Sequence, residues 1–171
     1  LYLFIGTGVG AGLFSGGQLL KGSMGFAGEV GHLSVAPDGE LCVCGKRGCL
    51  ETELSLKRFR TLMDTCANSK EAEEKINHYS RTVGLYIGNF VNIFNPEAVI
   101  VGGSIVNEER IPFSQIEQVA RSVAHPVLSD SFELLLAEHV PDSVAKGAVV
   151  MVQQHVYSRP ENHIVSLMTA N

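Results

Sequence analysis

GEVGHLSVAPDGELCVCGKRGCLE, residues 28–51, is the stretch from which the rest of the chain is read. Three of the four cysteines fall here, Cys42, Cys44 and Cys49, in the spacing C-x-C-x-x-x-x-C. His32 precedes them, Gly45 and Gly48 lie between them, and Glu29 and Glu51 flank the set. Soft thiolates with one imidazole make a four-ligand set suited to tetrahedral zinc. The glycines let so short a loop turn tightly enough for its thiolates to converge. Chance spacing, a redox pair and a disulfide are the competing readings. A C-x-C disulfide closes a strained ring and leaves the third cysteine over. The stretch is read as a structural zinc site of His32, Cys42, Cys44 and Cys49 that holds Glu29 and Glu51 beside a binding site.

Composition bounds the surroundings of this loop. A length of 171 residues, 45% of them apolar, fits one domain or one lobe of a larger protein. No run of eighteen apolar residues occurs, so no membrane-spanning helix is expected. The opening LYLFIGTGVG lacks a basic n-region and reads as a strand entering a turn. It has no initiator Met, and the chain is expected to be a piece of a longer protein. A net charge of −5 without a basic run argues against nucleic-acid binding by these residues. Free cysteines and a thiolate metal site point to the reducing cytoplasm.

Upstream of the cysteine loop, residues 1–5 read as a buried strand and GTGVGAG, residues 6–12, as a glycine-rich turn leading into a second strand. Gly16-Gly17 marks a tight hairpin turn before a third strand. Gly6, Gly8 and Gly10 remove side chains where amides could approach an anion, and Thr7 adds a hydroxyl. Glycines that merely twist a sheet are an equal reading. Glu29 and His32, three residues apart, share one face of a helical turn. HLSVA, residues 32–36, alternates as a strand does, and Pro37-Asp38-Gly39 signals a turn.

Downstream, residues 50–67 read as one helix with Leu54, Leu56, Phe59, Leu62 and Met63 on one side. Cys66 falls outside the metal spacing. Ser69 is expected to cap a second helix that runs to about Phe94, with Val83, Ile87, Val91 and Phe94 as its apolar stripe. Asn95-Pro96 ends it, Ala98 to Val101 form a short buried strand, and Gly102-Gly103-Ser104 follow at its C-terminal end. Ligands of α/β proteins bind outside such strand ends, although an ordinary strand-to-helix turn fits equally. Helices over 112–124 and 142–157, a strand over 132–137 and a tail over 158–171 complete the prediction. The chain is therefore α/β.

Together GTGVGAG, GEVGH, CVCGKRGCLE and NPEAVIVGG resemble the ROK family of sugar kinases and sugar-responsive repressors, in the family's order over about residues 1–155. The resemblance implies an actin-like (RNase H-like) ATPase fold, with residues 1–157 as its C-terminal lobe. It implies His32, Cys42, Cys44 and Cys49 as zinc ligands, and Glu29, His32 and Glu51 as contacts to sugar hydroxyls. Carboxylates make strong charge-assisted hydrogen bonds to hydroxyls. A zinc-bound histidine keeps its second ring nitrogen as an oriented donor. Gly6, Thr7, Gly8 and Gly10 match the second phosphate turn, and Gly102 and Gly103 the adenosine motif. The stretch between Glu51 and Asn95 is short for the family, so one helix is expected to be trimmed.

Two functions follow from the resemblance. One is the sugar-sensing lobe of a transcriptional regulator, with DNA bound only through an N-terminal domain that this chain lacks. The other is half of an ATP- and Mg2+-dependent hexose kinase, inactive alone because the D-x-G-x-T turn and the catalytic aspartate lie upstream. A homo-oligomer is expected in either case, because a lobe without its partner exposes apolar area.

Overall fold

The computed structural model describes residues 1–138 and 143–158, in two units, Leu1–Ala137 and Glu138–Asn171. The first unit is built on a four-stranded mixed sheet. Strand β1 (Tyr2–Ile5) pairs antiparallel with β2 (Val9–Gly12), and a short hairpin of β3 (Phe14–Ser15) and β4 (Gln18–Leu19) follows. The cysteine region leads to α1 (Leu50–Leu54), α2 (Leu56–Asp64) and the long α3 (Ser69–Phe94). Then come β5 (Ala98–Gly102), α4 (Phe113–Val123) and β6 (Glu133–Leu136). The sheet order is β2-β1-β5-β6, with β1, β5 and β6 parallel. The second unit contains α5 (Ser143–Ser158). Beyond Ser158 the expected tail, with His163, lies outside the described residues, as does His139.

Period-2 alternation sets the core. Leu3 and Ile5 are fully buried while Tyr2 and Phe4 are exposed, and Val99, Val101 and Leu134 are buried with Leu3 and Ile5. Phe59, Tyr79, Val83, Ile87, Phe90 and Val91 from the helices complete the core. Each such side chain contributes about 1.5–3 kcal/mol. Helices α3 and α4 approach so closely that a Cβ on Gly84 would stand 2.6 Å from the Ile116 carbonyl oxygen. The same holds at Gly88, 2.7 Å from the Ala120 oxygen. The hairpin turn at Gly16-Gly17 has φ of 58° and 75°, as a two-residue primed turn requires.

Three local expectations need correcting. HLSVA is not a strand, because its backbone serves a 3-10 turn over Val30–His32 and only an isolated bridge from Ser34 to Cys49. The helix expected over 50–67 breaks at Ser55, which is extended (φ −61°, ψ 149°). The freed amide of Leu56 donates instead to the Gly6 carbonyl at 2.7 Å. The cap of α3 is Asn68 rather than Ser69, since the Asn68 side chain accepts from the Glu71 amide at 3.0 Å. At its far end α3 stops where expected, with Asn95 left-handed at φ 43°.

Candidate metal centre and the turns around it

A chain of backbone contacts shapes the cysteine loop. The Cys42 amide donates to the Lys46 carbonyl at 2.8 Å and the Gly45 amide to the Cys42 carbonyl at 3.0 Å, so Cys44 stands at the tip of a tight turn. Gly48 (φ +63°) must be glycine, because a Cβ there would fall 1.4 Å from the Ala36 carbonyl oxygen. Cys49 then caps the first turn of α1, and Glu51 follows inside that helix. On the other side Gly28 and Gly31 lie against β2. Their Cβ atoms would stand 1.8 Å from the Ala11 oxygen and 2.2 Å from the Val9 oxygen. That contact brings the 3-10 turn carrying His32 up to the cysteines.

His32, Cys42, Cys44 and Cys49 each offer one ligand atom, and those atoms lie within 4.8 Å of one another. His32 Nδ1 is 3.7 Å from Cys42 Sγ, and Cys44 Sγ is 3.6 Å from Cys49 Sγ. A zinc tetrahedron with bonds of about 2.3 Å to sulfur and 2.0 Å to nitrogen has edges of about 3.8 Å (S–S) and 3.5 Å (S–N). These two separations match such edges, and the residues present fit a metal ion with the wider gaps of the set closing on it. All four cysteines are free thiols. Burial pushes the Cys49 thiol up to about 11, and the Lys46 amide beside Cys44 lowers that thiol. A bound cation displaces such thiol protons.

Glu29, His32 and Glu51 gather around this centre in unequal ways. His32 Nε2 points away from the thiols, 3.8 Å from Glu29 Oε2. Glu51 Oε2 accepts from the Val9 amide at 3.0 Å, and the Cys42 thiol donates toward Glu51 Oε1 at 3.9 Å. The same oxygen, Oε2, occupies the space of a side chain at Gly8, where a Cβ would stand 2.8 Å from it. The glycine turn and the cysteine loop are thus tied through one carboxylate. No sequence signal marks this tie, because the donor is a backbone amide 42 residues away.

The two glycine stretches lie at the C-terminal ends of the neighbouring central strands β1 and β5. Phe4 is paired with Gly102, so the turn Gly6-Thr7-Gly8 and the pair Gly102-Gly103 both follow the C-terminal ends of parallel strands. A Cβ on Gly103 (φ +89°) would stand 2.5 Å from the Ile5 carbonyl oxygen. Gly102 is explained by packing, since the Tyr2 hydroxyl fills its side-chain space at 2.1 Å, and Gly6 likewise lies under the Phe4 ring. Gly10 has only an ordinary contact, 3.9 Å from the Gly28 oxygen. An ion pair that the sequence reading overlooked borders Glu51: Arg58 donates to Glu40 at 2.8 Å.

The ROK family profile matches residues 1–155, and the chain belongs to the ROK family. It is 30% identical over 169 residues to the xylose repressor of Bacillus spizizenii, covering 91% of this chain and 44% of the repressor. It is 29% identical over 184 residues to the glucokinase of Halalkalibacterium halodurans, covering 90% of this chain and 56% of the kinase. The solved structure of a ROK family transcriptional regulator, a homologue of the Escherichia coli MLC protein, superposes with a TM-score of 0.65 at 30% identity. That superposition covers 79% of this chain and 40% of the regulator. Likeness to ROK regulator and sugar kinase structures places the chain in the actin-like ATPase fold, with mixed α/β content. The chain spans about half the length of the relatives it matches. No described helix is long and apolar enough to cross a membrane.

Proposed function

We propose that this chain is the sugar-sensing half of a ROK transcriptional regulator, binding a sugar beside a structural zinc held by His32, Cys42, Cys44 and Cys49. The observation that carries it is the convergence of those four ligand atoms with Glu29 and Glu51 at their margin. Four protein ligands leave no open position for water, so the metal braces the site and does no chemistry. Its work is positional. With Nδ1 toward the metal, His32 presents Nε2–H on the side of Glu29, where a donor and an acceptor can take one hydroxyl each. Glu51 keeps Oε2 on the Val9 amide and offers Oε1. Sugar binding would follow from these three groups, and DNA binding from a domain outside this chain. A homo-oligomer in a reducing compartment belongs to the same reading.

A second reading has its own support. The glycine turn at Gly6, Thr7 and Gly8 and the pair Gly102-Gly103 lie side by side at the C-terminal ends of β1 and β5, an arrangement suited to a nucleotide and its magnesium. On that reading the intact protein is an ATP-dependent hexose kinase.

Metal analysis and an activity assay test both readings. Protein purified without chelator should hold one zinc per chain with three thiols protected, and the intact protein should bind sugar without phosphorylating it. Hexose phosphorylation by the intact protein would move the conclusion to the kinase. Absence of metal with all three thiols titrating freely would remove the zinc.

A further inference from the structure

Glu51 has a second side. Towards α2 it borders a cavity of about 160 Å³ whose lining includes Thr7, Glu40, Lys57, Arg58 and three further hydroxyl side chains. Neither Glu29 nor His32 reaches this cavity among the lining residues. The cavity is half open, and its volume is of the order that one six-membered ring fills.

The lining chemistry narrows the ligand. Arg58 lines the cavity with its guanidinium held by a 2.8 Å bond to Glu40. Two cations, Lys57 and Arg58, face two carboxylates, Glu40 and Glu51, so the walls carry no net charge. A phosphate would meet both carboxylates. A neutral polyhydroxyl ring can give hydrogen bonds to Glu40 and Glu51 and accept them from Arg58 and the hydroxyls of Thr7 and Ser55, while Thr52 and Thr61 already donate to the Cys49 and Lys57 carbonyls.

We propose that this cavity is a subsite for a second sugar ring, so that the ligand is a glycoside or short oligosaccharide whose first ring lies at Glu29, His32 and Glu51. The inference rests on the sugar-binding reading above and adds the size of the ligand. Arg58 is its specificity-determining side chain, with Glu40 holding the guanidinium in place.

Calorimetric titration of the intact protein with glucose and xylose, and with maltose, cellobiose and xylobiose, tests it. At least one disaccharide should bind roughly tenfold more tightly than its own monosaccharide, the worth of one hydrogen bond to a charged group. Arg58→Met should abolish that advantage and leave monosaccharide affinity within about twofold. Glu40 is largely exposed, so Glu40→Gln keeps the fold and should give the same selective loss if Arg58→Met does not fold. Disaccharides no tighter than a monosaccharide that does bind would overturn the subsite and leave the sugar reading standing. Equal losses for both sizes in the variants would assign Arg58 to the first ring or to the fold and overturn the subsite. A gain seen only with glucose 6-phosphate, titrated alongside, would make the cavity an anion site and overturn the subsite. If no sugar of either size binds, the sugar reading falls and the subsite falls with it.

Discussion

Glu51 Oε2 accepts a hydrogen bond from the Val9 amide at 3.0 Å, joining the helix after the cysteine loop to the turn after the first strand. The contact exists only because Gly8 has no side chain there. Replacing Gly8 by Ala moves the end of a flexible carboxylate and no backbone. The melting temperature should stay within about 2 °C of wild type. Sugar affinity should fall roughly tenfold, because a misplaced carboxylate loses its geometry. A paired measurement of melting and calorimetric affinity separates the two effects.

Glu51→Ala removes the carboxylate outright. The intact protein should then lose most of its sugar affinity, by tenfold or more on the order expected for a charged hydrogen-bonding group, while still retaining one zinc. Unchanged affinity would take Glu51 out of the sugar site.

Gly48→Ala acts on the metal side. Its Cβ would fall on the Ala36 carbonyl, and its φ of +63° already disfavours a side chain. Backbone cannot step aside as a carboxylate can. A loss of about 2–3 kcal/mol in stability is expected, with weakened zinc retention. Denaturant melts and metal content after dialysis check it.

Helix α3 offers a test far from the site. Asn68→Ala removes the side-chain acceptor for the Glu71 amide and should cost about 1 kcal/mol. Lys75 beside Glu71, with the Ala67 amide, holds the Glu71 carboxyl below its usual range. A carboxyl depressed in the folded state stabilises above its unfolded value of about 4.3 and loses that contribution as pH falls through the folded value. The melting difference between wild type and Glu71→Gln should therefore shrink below about pH 4. A difference that grows in acid would reverse the sign.

Much of this architecture is legible in the residues. Leu3 and Ile5 against Tyr2 and Phe4 give the strand its period, and the stripe Val83, Ile87, Val91 gives the long helix its inner face. The cysteine spacing, with His32, pointed to four side chains whose ligand atoms the fold brings within 4.8 Å of one another. What escaped was set by distant backbone partners. Ser55 breaks a helix that its sequence would continue, because the Leu56 amide is taken by Gly6. HLSVA alternates as a strand would, yet its neighbours are a 3-10 turn and the loop at Gly48 rather than a sheet. The Val9–Glu51 bond and the Arg58–Glu40 pair join residues 42 and 18 positions apart, beyond any local pattern.

Metal and sugar meet in one experiment. The intact protein is titrated with its sugar when zinc-loaded, after stripping by a chelator, and after zinc is returned. If the cysteine cluster braces His32 and Glu51, stripping lowers sugar affinity roughly tenfold or more and zinc restores it. Equal affinity in all three states, with the metal shown to have left, would separate the cluster from the sugar and contradict the proposed site.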